Sequence, residues 1–169
     1  MYTDKDQYFL ELALKEAELS LEENTYPVGA IIVDENDQII GRGRNGVHPL
    51  QDITAHAEIA AIRDAGTAMF DAKILDKKLT LYSSLEPCPM CTGAILFAKI
   101  QRVVWLANDD QGFGGYKKMK DSLAFERKFS RIEVVEEPDA ELKEKQLLLM
   151  RQWENNPKHI KNLRKQLIK

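Results

Sequence analysis

The chain is predicted to be an α/β protein, a three-layer α/β/α sandwich in which helices cover both faces of a five-stranded mixed sheet. Three observations carry this expectation. Short apolar runs of strand length recur through the 169 residues and alternate with longer segments of helical character. The first two runs are separated only by Asp34-Glu35-Asn36-Asp37, so they should pair as an antiparallel hairpin. The third and fourth are separated by a helix-length segment, and a crossover helix makes its flanking strands parallel neighbours.

The first element is an amphipathic helix over Asp6–Glu23, where Phe9, Leu12, Ala13 and Ala17 recur at helical spacing among charges. Pro27 ends the approach to Val28-Gly29-Ala30-Ile31-Ile32-Val33, a buried strand. Residues 38–42 return as the second strand, and 41–49, carrying Gly43, Asn45 and Gly46, read as a loop. The alanine-rich stretch 57–65 predicts a helix that Gly66 stops. Residues 78–83 predict the third strand, 89–99 a helix and 102–106 the fourth strand. A glycine-rich turn over 112–116, a fifth strand over 131–135 and a closing helix over 142–153 complete the order.

No repeat, linker or low-complexity tract divides the chain, so residues 1–156 are expected to form one domain. Residues 157–169 should form a basic helical tail without an acid, with Ile160, Leu163 and Leu167 on one face. Such a tail either docks on the body or a partner subunit, or touches RNA phosphates.

Composition excludes several classes. With 44% hydrophobic and 30% charged residues the chain is neither disordered nor membrane-embedded. No apolar run nears the ~18 residues that span a bilayer. A net charge of −3 gives no overall attraction to nucleic acid or to an anionic membrane. The start Met1-Tyr2-Thr3-Asp4-Lys5-Asp6 lacks the basic-then-apolar pattern of a secretory signal, so a cytoplasmic location is expected. In that reducing compartment a C-x-x-C pair means metal or redox chemistry rather than a structural crosslink.

The only two cysteines sit in Glu86-Pro87-Cys88-Pro89-Met90-Cys91, and upstream lies Thr54-Ala55-His56-Ala57-Glu58. Zinc takes thiolate and imidazole ligands in a tetrahedron, and a catalytic site uses three protein ligands and leaves the fourth position to water. His56, Cys88 and Cys91 supply three, which predicts one zinc ion per chain. Both cysteines fall at a predicted helix start, where the positive dipole end favours thiolate. Their i, i+3 spacing puts both sulfurs on one side of the first turn. His56 and Glu58 would point roughly 200° apart on a regular helix. His56 is therefore expected at or just before the N-cap, so that ligand and carboxylate converge.

Two thiolates cancel the formal charge of the ion, so its water is acidified less than in a three-histidine site. Glu58 is the group that can carry the proton, from water to a ring nitrogen and to departing ammonia. A structural zinc site needs a fourth protein ligand, for which only His48 and His159 remain among histidines. A redox pair or a zinc-stabilised scaffold would not need Glu58.

These motifs, H-x-E followed by P-C-x-x-C, resemble those of the cytidine and deoxycytidylate deaminase-like superfamily. The likeness is narrower with the branch of tRNA adenosine, guanine and fungal-type cytosine deaminases. It runs from about Tyr8 to Val135 and includes Pro27-Val28-Gly29-Ala30, Asn45, Thr80-Leu81-Tyr82 and Gly93-Ala94-Ile95. The resemblance implies a homodimer and hydrolytic replacement of a ring amino group by oxygen. It gives His56, Cys88 and Cys91 as metal ligands and Glu58 as the proton shuttle. It also implies that Asn45 bonds the base or its sugar, with the Ala57 N–H and the carbonyl near Leu85 lining the reaction centre.

The segment after the fourth strand departs from the family patterns. tRNA adenosine deaminases carry a lysine-glycine-alanine-x-glycine-serine type sequence there, whereas this chain reads Asn108-Asp109-Asp110-Gln111-Gly112-Phe113-Gly114-Gly115-Tyr116. Guanine deaminases place an acid after the phenylalanine, where this chain has Gly114. The acidic balance and the Asn108-Asp109-Asp110 run favour a free base, nucleoside or related amino-heterocycle as substrate, because acids repel an RNA backbone. The alternative is adenosine in a tRNA anticodon loop, splayed into the pocket. Phe113, Tyr116 and Trp153 are candidates to stack on a ring or to cap the pocket, or else they belong to the core.

Overall fold

The computed structural model describes residues 1–110, 114–123 and 125–168. In chain order the elements begin α1 (Asp4–Glu22), β1 (Gly29–Val33), β2 (Ile39–Arg44), α2 (Val47–Leu50), α3 (Ala57–Leu75) and β3 (Thr80–Leu85). They continue α4 (Pro89–Ala98), β4 (Arg102–Ala107), α5 (Tyr116–Met119), α6 (Glu126–Phe129), β5 (Glu133–Glu136), α7 (Ala140–Glu154) and α8 (Ile160–Leu167). The five strands form one sheet in the order β2-β1-β3-β4-β5. β1 is antiparallel to both β2 and β3, while β3, β4 and β5 run parallel.

Alternation along the strands builds a core on each face. Ala30, Ile32, Leu81, Val103 and Trp105 point to the side covered by α3 and α4. Ile31, Val33, Tyr82, Val104 and Leu106 point to the side covered by α1 and α7. Tyr116 belongs to the first of these cores, 5.5 Å from the Trp105 ring and 5.1 Å from Phe129.

The short helices α2, α5 and α6 were not expected, and two longer elements run past their expected ends. β2 does not end at residue 42 but pairs through Arg44 with Gly29. Gly41 and Gly43, which read as loop residues, serve close helix approach instead. A Cβ on Gly43 would lie 2.2 Å from the Ala57 carbonyl oxygen and one on Gly41 2.3 Å from that of Ala61. α3 likewise does not stop at Gly66. That glycine adopts φ 48°, ψ −121° as a kink, and the helix resumes to Leu75 because Met69 and Ala72 are buried in the same core.

α1 is locked to the sheet by one buried acid. Asp6 bonds Thr3 in a reciprocal capping box, accepts from the Tyr82 hydroxyl at 2.7 Å, and pairs with Arg102 at 2.5 and 3.1 Å. Burial works to raise its carboxyl, but Arg102, Tyr82 and Thr3 outweigh that and hold it below the usual carboxylate range. Asp6→Asn is expected to cost about 2–3 kcal/mol in urea unfolding near neutral pH. A depressed acid stabilises above its unfolded value and loses that contribution as pH falls through the folded one. The unfolding midpoints of wild type and Asp6→Asn should therefore converge in acid.

Candidate active site

Two helix starts face each other at the edge of the first core. β3 ends at Leu85, the chain turns through Glu86-Pro87, and Cys88 is the N-cap of α4 with Pro89 as its first helical residue. His56 is the N-cap of α3, with extended backbone at φ −79°, ψ 155°. This is the position that the His56–Glu58 spacing demands.

His56 Nδ1 lies 3.5 Å from Cys88 Sγ and 3.6 Å from Cys91 Sγ. A tetrahedral ion with Zn–N of about 2.0–2.1 Å and Zn–S of about 2.3 Å holds nitrogen and sulfur about 3.6 Å apart. The donor set thus fits zinc in both chemistry and spacing. Among the described residues this is the only cluster of three histidine, cysteine or acidic side chains poised to hold a metal ion.

Electrostatics prepare the sulfurs unequally. Hydrogen bonding from Cys91, and then from His56, draws the Cys88 thiol down to about 4 against the opposing effect of burial. The same bond to Cys88, with burial and the Glu58 charge, pushes Cys91 up. The bond with Cys88 raises His56 above the ordinary imidazole value, against burial. Both sulfurs bind a cation as thiolates, so metal binding releases the protons they carry.

Glu58 is the second residue of α3 and only 3% exposed, with Oε2 3.3 Å from Cys91 Sγ. Burial pushes its carboxyl up to about 7, the Cys88 charge adds to this, and the bonds to backbone and Cys91 oppose it. Glu58 is therefore held against the metal ligands in an environment that accommodates both protonation states.

Ala57 is the first helical residue of α3, and its N–H is one of those that a helix leaves without an internal acceptor. Leu85 closes β3, and its carbonyl accepts from the Ser83 hydroxyl at 2.7 Å. Asn45 follows β2 and is buried, and the next residue, Gly46, donates to the Ala55 carbonyl at 2.8 Å, beside His56. Phe113 lies outside the described residues.

Sequence reasoning passed over Glu86. Its buried carboxylate accepts from the backbone N–H of Asp109 at 3.1 Å and of Lys117 at 3.2 Å. Gly115 donates to the Pro87 carbonyl at 2.9 Å, and a Cβ there would lie 2.2 Å from the Pro89 nitrogen. Asp109, Gly115 and Lys117 are thus tied by their backbones to the turn bearing Cys88. Trp153 is buried against Tyr26, His48 and His159, so His48 joins a ring cluster rather than a bare surface loop.

Residues 3–107 match the family model of the cytidine and deoxycytidylate deaminase zinc-binding region. The chain is 39% identical over 131 residues to a tRNA-specific adenosine deaminase of Streptococcus pyogenes serotype M1, covering 78% of this chain and 74% of that protein. It is 43% identical over 108 residues to the tRNA-specific adenosine deaminase of Aquifex aeolicus, covering 64% and 70%. A chain solved in a study of A-to-I editing by tRNA:A34 deaminases superposes with a TM-score of 0.64 at 32% identity, covering 85% of this chain and 99% of that one. The guanine deaminase of Nitrosomonas europaea shares the fold, with a TM-score of 0.71 at 21% identity over 92% of this chain and 87% of that one.

Proposed function

The chain belongs to the cytidine and deoxycytidylate deaminase family and is a zinc-dependent hydrolytic deaminase, and from that premise we propose that it converts adenosine to inosine in a tRNA anticodon loop. The observation that supports this substrate is the 39% identity to a tRNA-specific adenosine deaminase across 78% of the chain. The likeness to a guanine deaminase supports the fold alone.

In this reading His56, Cys88 and Cys91 hold the ion. Bound zinc supplies Lewis acidity that makes water nucleophilic toward the ring carbon bearing the amino group. The Glu58 carboxylate would pass one proton of the attacking water to the ring nitrogen, then take the second from the hydroxyl of the resulting adduct and pass it to the amino group, which leaves as ammonia as the C=O bond forms. The Ala57 N–H and the Leu85 carbonyl orient the reacting edge, Asn45 bonds the base or its sugar, and Phe113 stacks on the ring. Residues 1–156 form the deaminase domain, and the basic tail 157–169 supplies charge toward RNA phosphates. A homodimer would use α3 and α4, where Phe70, Ile74 and Phe97 are each more than 60% exposed. No helix of the described residues is long and apolar enough to cross a membrane, which accords with the proposed cytoplasmic location.

A second reading, a free base or nucleoside as substrate, is favoured by Asp109 and Asp110 on the segment pinned beside Cys88. The experiment compares ammonia release from an anticodon stem-loop bearing a wobble adenosine with release from adenine, adenosine, guanine, cytosine and cytidine. The proposal predicts turnover of the stem-loop, with kcat/KM falling steeply as salt rises. Turnover of a free heterocycle with none of the stem-loop would establish the second reading instead.

A further inference from the structure

The carboxamide of Asn45 is oriented by residues that no motif contains. Its Oδ1 accepts from the backbone N–H of Val47 at 3.1 Å and from the hydroxyl of Thr25 at 2.7 Å. An N–H can only donate, so the Val47 contact identifies the oxygen end of the amide and leaves Nδ2 on the other side. Asn45 is only 3% exposed, so the amide is held in place by its surroundings as well as by these two bonds. With its oxygen end already held by two donors, the amide has only its N–H hydrogens left to offer a ligand.

Thr25 is itself fully buried. Its Oγ1 accepts from the His48 backbone N–H at 3.3 Å and lies 3.2 Å from His48 Nδ1. A hydroxyl carries one hydrogen. When His48 Nδ1 carries a hydrogen it donates to Thr25, and the Thr25 hydrogen is committed to Asn45. The His48 ring is in turn clamped edge-on against Trp153 at 5.1 Å, with Tyr26 at 5.6 Å. A continuous set of contacts therefore runs from α7 through His48 and Thr25 to the Asn45 amide.

We propose that Thr25 is a positioning residue for deamination: its hydroxyl, held by His48, locks Asn45 so that Nδ2 donates to an acceptor atom on the substrate. The proposal rests on Asn45 as a substrate contact and deepens it, because it selects substrates that present an acceptor there and makes Thr25 the residue that enforces the choice.

Thr25→Val keeps the shape and removes the hydroxyl, and Thr25→Ser restores it. With the wobble-adenosine stem-loop, Thr25→Val should raise KM about tenfold at nearly unchanged kcat and full zinc content, while Thr25→Ser stays within about threefold of wild type. Thr25→Val added to Asn45→Ala should have no further effect, since both act through one amide. An unchanged KM in Thr25→Val beside an impaired Asn45→Ala would overturn the positioning role alone. An unchanged KM in Asn45→Ala would overturn the substrate contact and the positioning role together. A readout without substrate is the side-chain amide pair of Asn45 in proton–nitrogen spectra. The pair should shift and exchange faster in Thr25→Val and return in Thr25→Ser, and an unaltered pair in Thr25→Val would refute the lock.

Discussion

Glu58→Gln is expected to retain one zinc per chain and the wild-type unfolding midpoint, while turnover falls by about 10²–10⁴-fold. The substitution keeps the size of the side chain and removes only its ability to carry a proton. Glu58 is not one of the three donors whose spacing matches a tetrahedral site, so metal content should not follow the loss of activity. It is also buried beside Cys91, where its carboxylate stands within reach of the reacting centre that the ligands define. Metal analysis and steady-state ammonia release on one preparation separate the two properties. Activity near the wild-type level would show that protons move by another route.

The second large effect is expected from the metal ligands. Cys88→Ala should yield protein that folds but carries far less than one equivalent of zinc after dialysis, with no measurable deamination. Cys88 is half-buried at the N-cap of α4, so its removal leaves a smaller defect than removal of the fully buried Cys91. His56→Ala should behave in the same way, because His56 Nδ1 lies within 3.6 Å of both sulfurs. Two remaining donors cannot enclose the ion, and metal affinity depends on the complete set. Either variant holding stoichiometric zinc would mean that the ligand set is wrong.

Much of this site was legible because its chemistry is local. The two-residue separation of His56 and Glu58 forces the histidine out of the helix, and the structure places it at the N-cap. The β1–β2 hairpin and the parallel β3–β4 pair followed from hairpin and crossover logic, whereas the β1–β3 and β4–β5 neighbours emerged only in the structure. What the sequence concealed are contacts between distant residues and the reasons for individual glycines. Gly43 reads as a turn residue until the Ala57 carbonyl is seen pressing on it, and Gly66 reads as a stop until the buried Met69 draws the helix onward. The Asp6–Tyr82–Arg102 lock joins residues from three elements. The contacts between Trp153, His48 and Thr25 likewise join the two ends of the chain. Neither leaves any periodicity to read. Residues 108–116 read as the departure from family patterns, but only the structure shows Glu86 holding the backbone of Asp109 and of Lys117.

Zinc-edge X-ray absorption on the purified wild-type protein tests the account most directly. It should show one equivalent of metal with two sulfurs at about 2.3 Å and two light atoms at about 2.0–2.1 Å, one of them exchangeable for an added thiol. Absence of zinc, or a shell in which every ligand comes from the polypeptide and none exchanges, would contradict a water-activating centre and with it the assignment of Glu58.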